Sequence, residues 1–176
     1  MNFNKNITIF TTHYYVNMDE NEKTLIKFYT AFANADAATM CECYHADIQF
    51  RDPAFGLLKG NDVCNMWKML IKKTKGELKI EFSEVKATEY IGSLIWIATY
   101  NFSKTNRKVV NAINAQFQFK DGLIIKHTDD FDIWKWSKQA FGIKGYLLGW
   151  TGFFHKKVNE QALFALKKYK ENKDAN

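Results

Sequence analysis

The chain has 176 residues, of which 47% are hydrophobic and 16% aromatic. That suits one domain with a substantial core and excludes a disordered chain. Its net charge is +6, and much of the excess lies in Lys156, Lys157, Lys167, Lys168, Lys170 and Lys173. With no nucleic-acid-binding motif beside them, these lysines read as the solvated face of a helix, and no nucleic-acid partner is expected.

A single proline and the lack of a long Gly/Ser-rich run leave no visible linker. The cysteines, Cys41, Cys43 and Cys64, are odd in number and fall in helical patterns, which predicts reduced thiols and a cytoplasmic protein. They are too few for a zinc site, so no metal is expected. No apolar run reaches the length of a membrane span, and no membrane partner is expected. Residues 1–18 lack an adequate apolar core or a small-residue cleavage site and read as a leader rather than a signal peptide.

Taken in order, Asp19 to Ala33 is predicted helical. Leu25, Phe28, Tyr29 and Phe32 recur at i, i+3, i+4 and i+7, with Asp19, Glu20 and Glu22 in the first turn. Asp36 is a good N-cap for a second helix through about Tyr44, with Met40 and Tyr44 inward. Ile48 and Phe50 alternate as a short strand that Asp52-Pro53 stops. Gly60-Asn61-Asp62 opens a third helix with the stripe Val63, Met66, Trp67 and Leu70, and Gly76 ends it. The period then changes to two. Leu78, Ile80 and Phe82 form one strand, and Leu94 to Phe102 the next. Val109 to Phe119 and Leu123 to Trp134 make a hairpin. A last helix runs from about Lys156 to Tyr169, with Val158, Ala162, Ala165 and Tyr169 on one side. The linking segment at residues 141–154 is too apolar for a simple loop, and is expected to cover an opening of the core or meet a partner. The plan is α+β: a cone-shaped, strongly curved antiparallel sheet wrapped around three N-terminal helices, with an extra C-terminal helix. Residues 19–136 form the domain, and 137–176 a helical extension packing on it.

The hairpin carries the chemistry. A two-residue loop at Asp121-Gly122 would mix apolar and charged residues on one face. A three-residue loop, Lys120 to Gly122, pairs Phe119 with Leu123, Phe117 with Ile125, Ala115 with His127 and Ile113 with Asp129. One face is then apolar apart from His127 and Asp129, and Asn114, Gln116, Gln118, Lys126, Thr128 and Asp130 share the other. Burying an unpaired charge costs several kcal/mol. His127 and Asp129 therefore either satisfy one another at the sheet's rim or mark a site.

The order helix, helix, short strand ending DPAFGLLKG, helix, meander resembles the nuclear transport factor 2-like superfamily, which includes SnoaL-like polyketide cyclases, ketosteroid isomerases and limonene-epoxide hydrolases. The run FYTAFANAD at residues 28–36 resembles the first-helix segment of the isomerases, which implies an oxyanion-binding role for Tyr29. FRDPAFGLLKG implies a proton-shuttling role for Asp52. The position of the isomerases' second oxyanion acid falls on Ala115. The spacing His127-Thr128-Asp129 resembles the cyclases, which implies that Asp129 is an acid/base. The Arg-Asp-Asp set of the epoxide hydrolases has no match.

The resemblance implies a cofactor-independent isomerase, cyclase or lyase acting on a small apolar or carbonyl-containing ligand. Asp129 or Asp52 would be the base and Tyr29 and His127 the donors, with Phe32, Phe50, Trp67 and Phe117 as apolar walls. The alternative is a non-catalytic ligand-binding or dimerisation module, in which Asp52 holds a turn and Tyr29 is core. A homodimer through the polar sheet face is also expected.

Overall fold

A computed structural model describes residues 19–74 and 76–174. The leader at residues 1–18 lies outside them. Helix α1 (Glu20–Ala33) starts where Asp19 accepts from the Asn21 backbone N–H at 2.8 Å. Its stripe Leu25, Phe28, Tyr29 and Phe32 is fully or almost fully buried, and each such side chain stabilises the fold by roughly 1.5–3 kcal/mol. Asn21 donates to the carbonyls of Thr88 and Glu89, and Thr24 to that of Gly122, so α1 is pinned to two sheet turns. Helix α2 (Ala37–Glu42) is capped by Asp36. It ends earlier than the sequence suggests, and Tyr44 opens a strand.

Strands β1 (Tyr44–Asp52) and β2 (Gly56–Lys59) form a hairpin, and helix α3 (Asn61–Lys73) follows. Then come β3 (Lys79–Ala87), β4 (Ile91–Phe102), β5 (Arg107–Lys120) and β6 (Leu123–Asp130). The six strands make one curved, unclosed sheet in the order β2-β1-β6-β5-β4-β3. Its pairs are antiparallel except β1 with β6, which run parallel. The concave face closes on α1 and α3 around the core.

The β5–β6 turn corrects the predicted register. Asp121 and Gly122 both have positive φ, 54° and 75°, as a two-residue type I′ turn needs. Phe119 faces Ile124, and a bulge then leaves Ile125 unpaired, so that Gln118 faces Lys126, Phe117 faces His127 and Ala115 faces Asp129. The turn keeps its preferred Asp-Gly geometry, and the bulge restores the alternation that a two-residue loop alone would break. His127 and Asp129 face inward as expected, but near the turn Ile124 takes the buried place expected of Leu123 and Ile125, which are half-buried, and the cross-strand partners differ.

β6 stops at Asp130, short of the predicted Trp134. Asp132 instead accepts from the Lys135 N–H and caps α4 (Ile133–Phe141). The apolar segment that follows holds α5 (Ile143–Leu148), and α6 (Gly152–Asp174) starts before the predicted Lys156. Leu166 enters the main core, with Ala162, Ala165 and Tyr169 packed against it.

The expectation of three reduced thiols does not hold. Cys41 and Cys64 are joined by a disulfide between α2 and α3, with Cα atoms 5.7 Å apart. Cys43 is free and buried, and its burial raises the thiol pKa to about 11. The cytoplasmic assignment thus loses the thiol argument it rested on. Among the described residues no helix is long and apolar enough to cross a membrane.

Candidate active site

Four elements bring a line of polar groups into the apolar core. His127 sits on β6 between Phe50 of β1 and Phe117 of β5. Its ring is 4.5 Å from that of Phe117, 5.1 Å from Phe50 and 6.0 Å from Trp67, on which it stacks. It is fully buried, so both ring nitrogens need protein partners. Nδ1 lies 2.7 Å from the Tyr44 hydroxyl, and Nε2 lies 3.0 Å from Asp129 Oδ1.

The donor arithmetic fixes the tautomer. Trp67 Nε1–H donates to the Tyr44 oxygen at 3.0 Å. The Tyr44 proton then goes to His127 Nδ1, which must accept, and the imidazole proton on Nε2 goes to Asp129. Trp96 Nε1–H donates to the same Asp129 oxygen at 3.1 Å. Asp129 Oδ1 therefore takes two N–H bonds, and Oδ2 takes none among the described residues. Opposite Asp129 on β5 stands Ala115, whose methyl leaves room for the Trp96 indole to reach across.

Asp129 lines a cavity of about 260 Å³. Asp52 lines it too, together with Phe32, Phe50, Trp67 and Trp96. Its far side comes from α4 and α6, through Trp136, Phe141, Val158 and Ala162. Lys73 and Lys104 lie on its wall. Burial and the neighbouring Lys104 lower the Lys73 pKa.

Asp52 ends β1 as a partly buried turn residue. Its Oδ1 accepts from the backbone N–H groups of Ala54 at 3.0 Å and Phe55 at 2.5 Å. Burial raises its pKa to about 7; the Asp129 charge adds to the rise, and the two backbone bonds oppose it. The turn-holding role and the cavity position thus coexist in one side chain.

Of the residues picked from sequence, Asp129, Asp52, Phe32, Phe50 and Trp67 meet at the cavity. Tyr29, His127, Ala115 and Phe117 are buried behind its wall. Tyr29 lies 5.9 Å from Trp96 ring to ring, and its hydroxyl has no hydrogen-bond partner among the described residues. Burial pushes its pKa well up, and the charge of Asp129 adds to that. Sequence reasoning missed Tyr44 and Trp96 as members of the polar line. The inward alternation Leu94, Trp96, Ala98 carried the signal for Trp96. Tyr44 was hidden by its assignment to a helix.

The family model described as SnoaL-like domain matches residues 25–127, more than half of the chain. No curated protein matches it. Among solved structures, Bal32a from a soil-derived mobile gene cassette is 20% identical with a TM-score of 0.61, over 68% of this chain and 95% of that one. An epoxide hydrolase of M. tuberculosis similar to the limonene type is 18% identical with a TM-score of 0.53, over 74% and 91%. TerC, co-crystallised with polyporic acid, is 13% identical with a TM-score of 0.56, over 65% and 92%. At these identities the likeness is one of fold.

Proposed function

The chain belongs to the SnoaL-like domain family of the nuclear transport factor 2-like superfamily, and we propose that its cavity binds a small apolar carbonyl compound and moves a proton beside the carbonyl. The observation that carries this reading is the state of Asp129. One carboxylate oxygen is held by two N–H donors, the other has no donor among the described residues, and the residue lines the cavity. A carboxylate so fixed has a defined free edge for a proton on carbon.

Asp52 is the complementary acid. With its pKa raised to about 7, it is largely protonated just below neutrality and able to donate to a developing enolate oxygen. Tyr29, whose hydroxyl has no hydrogen-bond partner among the described residues, stands behind the cavity wall and is a core residue in this reading rather than a donor to the ligand. His127 and Tyr44 position Asp129 and do not touch the ligand. Lys73 and Lys104 favour a ligand carrying an anionic group at its outer end. No cofactor enters this chemistry. The fold relative TerC was crystallised with polyporic acid, which agrees with an oxygenated apolar ligand.

The exposed residues Asn114, Gln116 and Gln118 on the convex face of β5 support pairing of two copies through that face. The catalytic reading is tested by incubating the protein in D₂O with a panel of apolar ketones. Deuterium uptake next to the carbonyl, lost in Asp129→Asn with ketone binding retained, supports it. Binding without exchange in either protein leaves a ligand-binding module of the same fold.

A further inference from the structure

Helix α5 presents its apolar stripe to solvent. Ile143, Tyr146 and Leu147 recur at i, i+3 and i+4, the spacing that normally faces a core, and Trp150 continues the patch in the turn after the helix. They are 79%, 59%, 59% and 65% exposed, and Phe153 at the start of α6 is 69% exposed. The cause lies on the opposite side of the helix, which carries Gly145 and Gly149. A Cβ at Gly145 would stand 1.9 Å from the Ser137 carbonyl oxygen, and one at Gly149 would stand 1.8 Å from Ser137 Oγ. Only glycines let α5 lie this close to α4, and their contact turns the stripe outward. Ser137 Oγ seals it by donating to the Gly145 carbonyl at 3.1 Å.

The charge along this segment is mostly of one sign, with Lys157 paired to Glu160 at 2.9 Å at its far end. No Asp or Glu occurs between Asp132 and Glu160, whereas Lys135, Lys138, Lys144, Lys156 and Lys157 do. Lys138 lies over the Trp134 ring at 4.1 Å, and Trp134 packs beside Tyr146. An outward patch of Trp, Tyr, Leu, Ile and Phe ringed by lysines matches an anionic membrane interface. The aromatic rings suit the headgroup level, the aliphatic side chains the acyl boundary, and the lysines the phosphates. A second copy of this chain fits less well, since the same lysines would face one another.

We propose that α5 and the first turn of α6 dock on the surface of an anionic lipid bilayer, with Ile143, Tyr146, Leu147, Trp150 and Phe153 inserted and Lys144, Lys156 and Lys157 on the headgroups. This replaces the expectation of no membrane partner, which rested on the lack of a spanning helix. Lying on a membrane requires an amphipathic face, not a spanning length.

The test is co-sedimentation of the full chain with phosphatidylcholine vesicles, with and without about one-third phosphatidylserine. Tryptophan emission is followed in parallel. The full chain is expected to pellet with the phosphatidylserine vesicles, to shift its emission to the blue and to release as salt rises. The double variant Leu147→Glu with Trp150→Glu should bind at least about tenfold more weakly. Its far-ultraviolet circular dichroism should be unchanged, since both side chains are exposed. Lys144→Glu with Lys156→Glu should weaken binding to the phosphatidylserine vesicles alone. A full chain that stays in the supernatant overturns the proposal, as does binding that ignores the Leu147 and Trp150 changes. A dimer in light scattering that the glutamate variant splits, without vesicle binding, assigns the stripe to a second copy and overturns it too.

Discussion

His127 Nε2 donates to Asp129 Oδ1 at 3.0 Å, and both residues are buried. The bond uses one oxygen of a carboxyl group whose residue lines the cavity. It also explains how the apolar face of the β5–β6 hairpin tolerates two ionisable residues: each satisfies the other, with Tyr44 and Trp96 completing the set. The pair is thus satisfied inside the core and not at the sheet's rim.

Removing the middle of the line should be costly. His127→Ala leaves the Tyr44 hydroxyl and Asp129 short of a partner and opens a hole among Phe50, Trp67 and Phe117. A loss of about 3 kcal/mol or more in urea unfolding is expected. Tyr44→Phe removes only the hydroxyl and should cost roughly 1–3 kcal/mol, through the unsatisfied Trp67 N–H and His127 Nδ1.

Tyr29→Phe should behave in the opposite way. The hydroxyl is buried without a partner among the described residues, so deleting it relieves a desolvation penalty of about 1 kcal/mol and leaves the fold as stable or more so. Ketone binding and deuterium uptake should be unchanged, because Tyr29 stands behind the cavity wall. A loss of ketone binding at unchanged stability would instead put its hydroxyl on the ligand.

The Asp52 carboxyl has a signed effect on stability. Its folded pKa is about 7, against roughly 3.9 in an unfolded chain. Between those values the folded state holds a proton that the unfolded state has lost, so stability falls as pH rises. The contribution is complete below about pH 4 and gone above about pH 7, at up to about 1.4 kcal/mol per pH unit within the window. Asp52→Asn keeps an acceptor for Ala54 and Phe55 but cannot titrate. Melting curves of the two proteins should therefore converge toward low pH, and wild type should lose ground steadily up to neutrality.

The Cys41–Cys64 disulfide joins residues 23 apart in sequence. Closing a loop of that size restricts the unfolded chain by about 3 kcal/mol. Reduction, or Cys41→Ala with Cys64→Ala, should lower the unfolding free energy by that order. An unfolding curve unaffected by reductant would mean that the bond does not form in solution.

Much of this is legible in the sequence. The α1 stripe from Leu25 to Phe32 had one period and one consistent face. His127 and Asp129 pointed inward because strand parity survives any register shift of two residues. Their partners were not legible, because the bulge at Ile125 arises from the preference of Asp121-Gly122 for its own turn and not from the apolar pattern. Tyr44 looked helical because Met40 and Tyr44 are four apart, and the early strand that claims it is set by parallel pairing with β6, a long-range contact. Trp134 and Trp136 continued the alternation of β6, but Asp132 as an N-cap turned them into a helix. Cys41 and Cys64 lie on two helices, and only the packing of α2 against α3 brings them together.

The central claim is that Asp52 and Asp129 form an acid–base pair in one cavity, and ¹³C NMR titration of the aspartate carboxyl carbons tests it most directly. In the wild-type protein the Asp52 signal should titrate near pH 7. In Asp129→Asn, which removes the neighbouring charge, its midpoint should move down. An Asp52 midpoint near the ordinary carboxylate value of about 3.9 in both proteins would contradict the pairing and leave Asp52 as a turn residue alone.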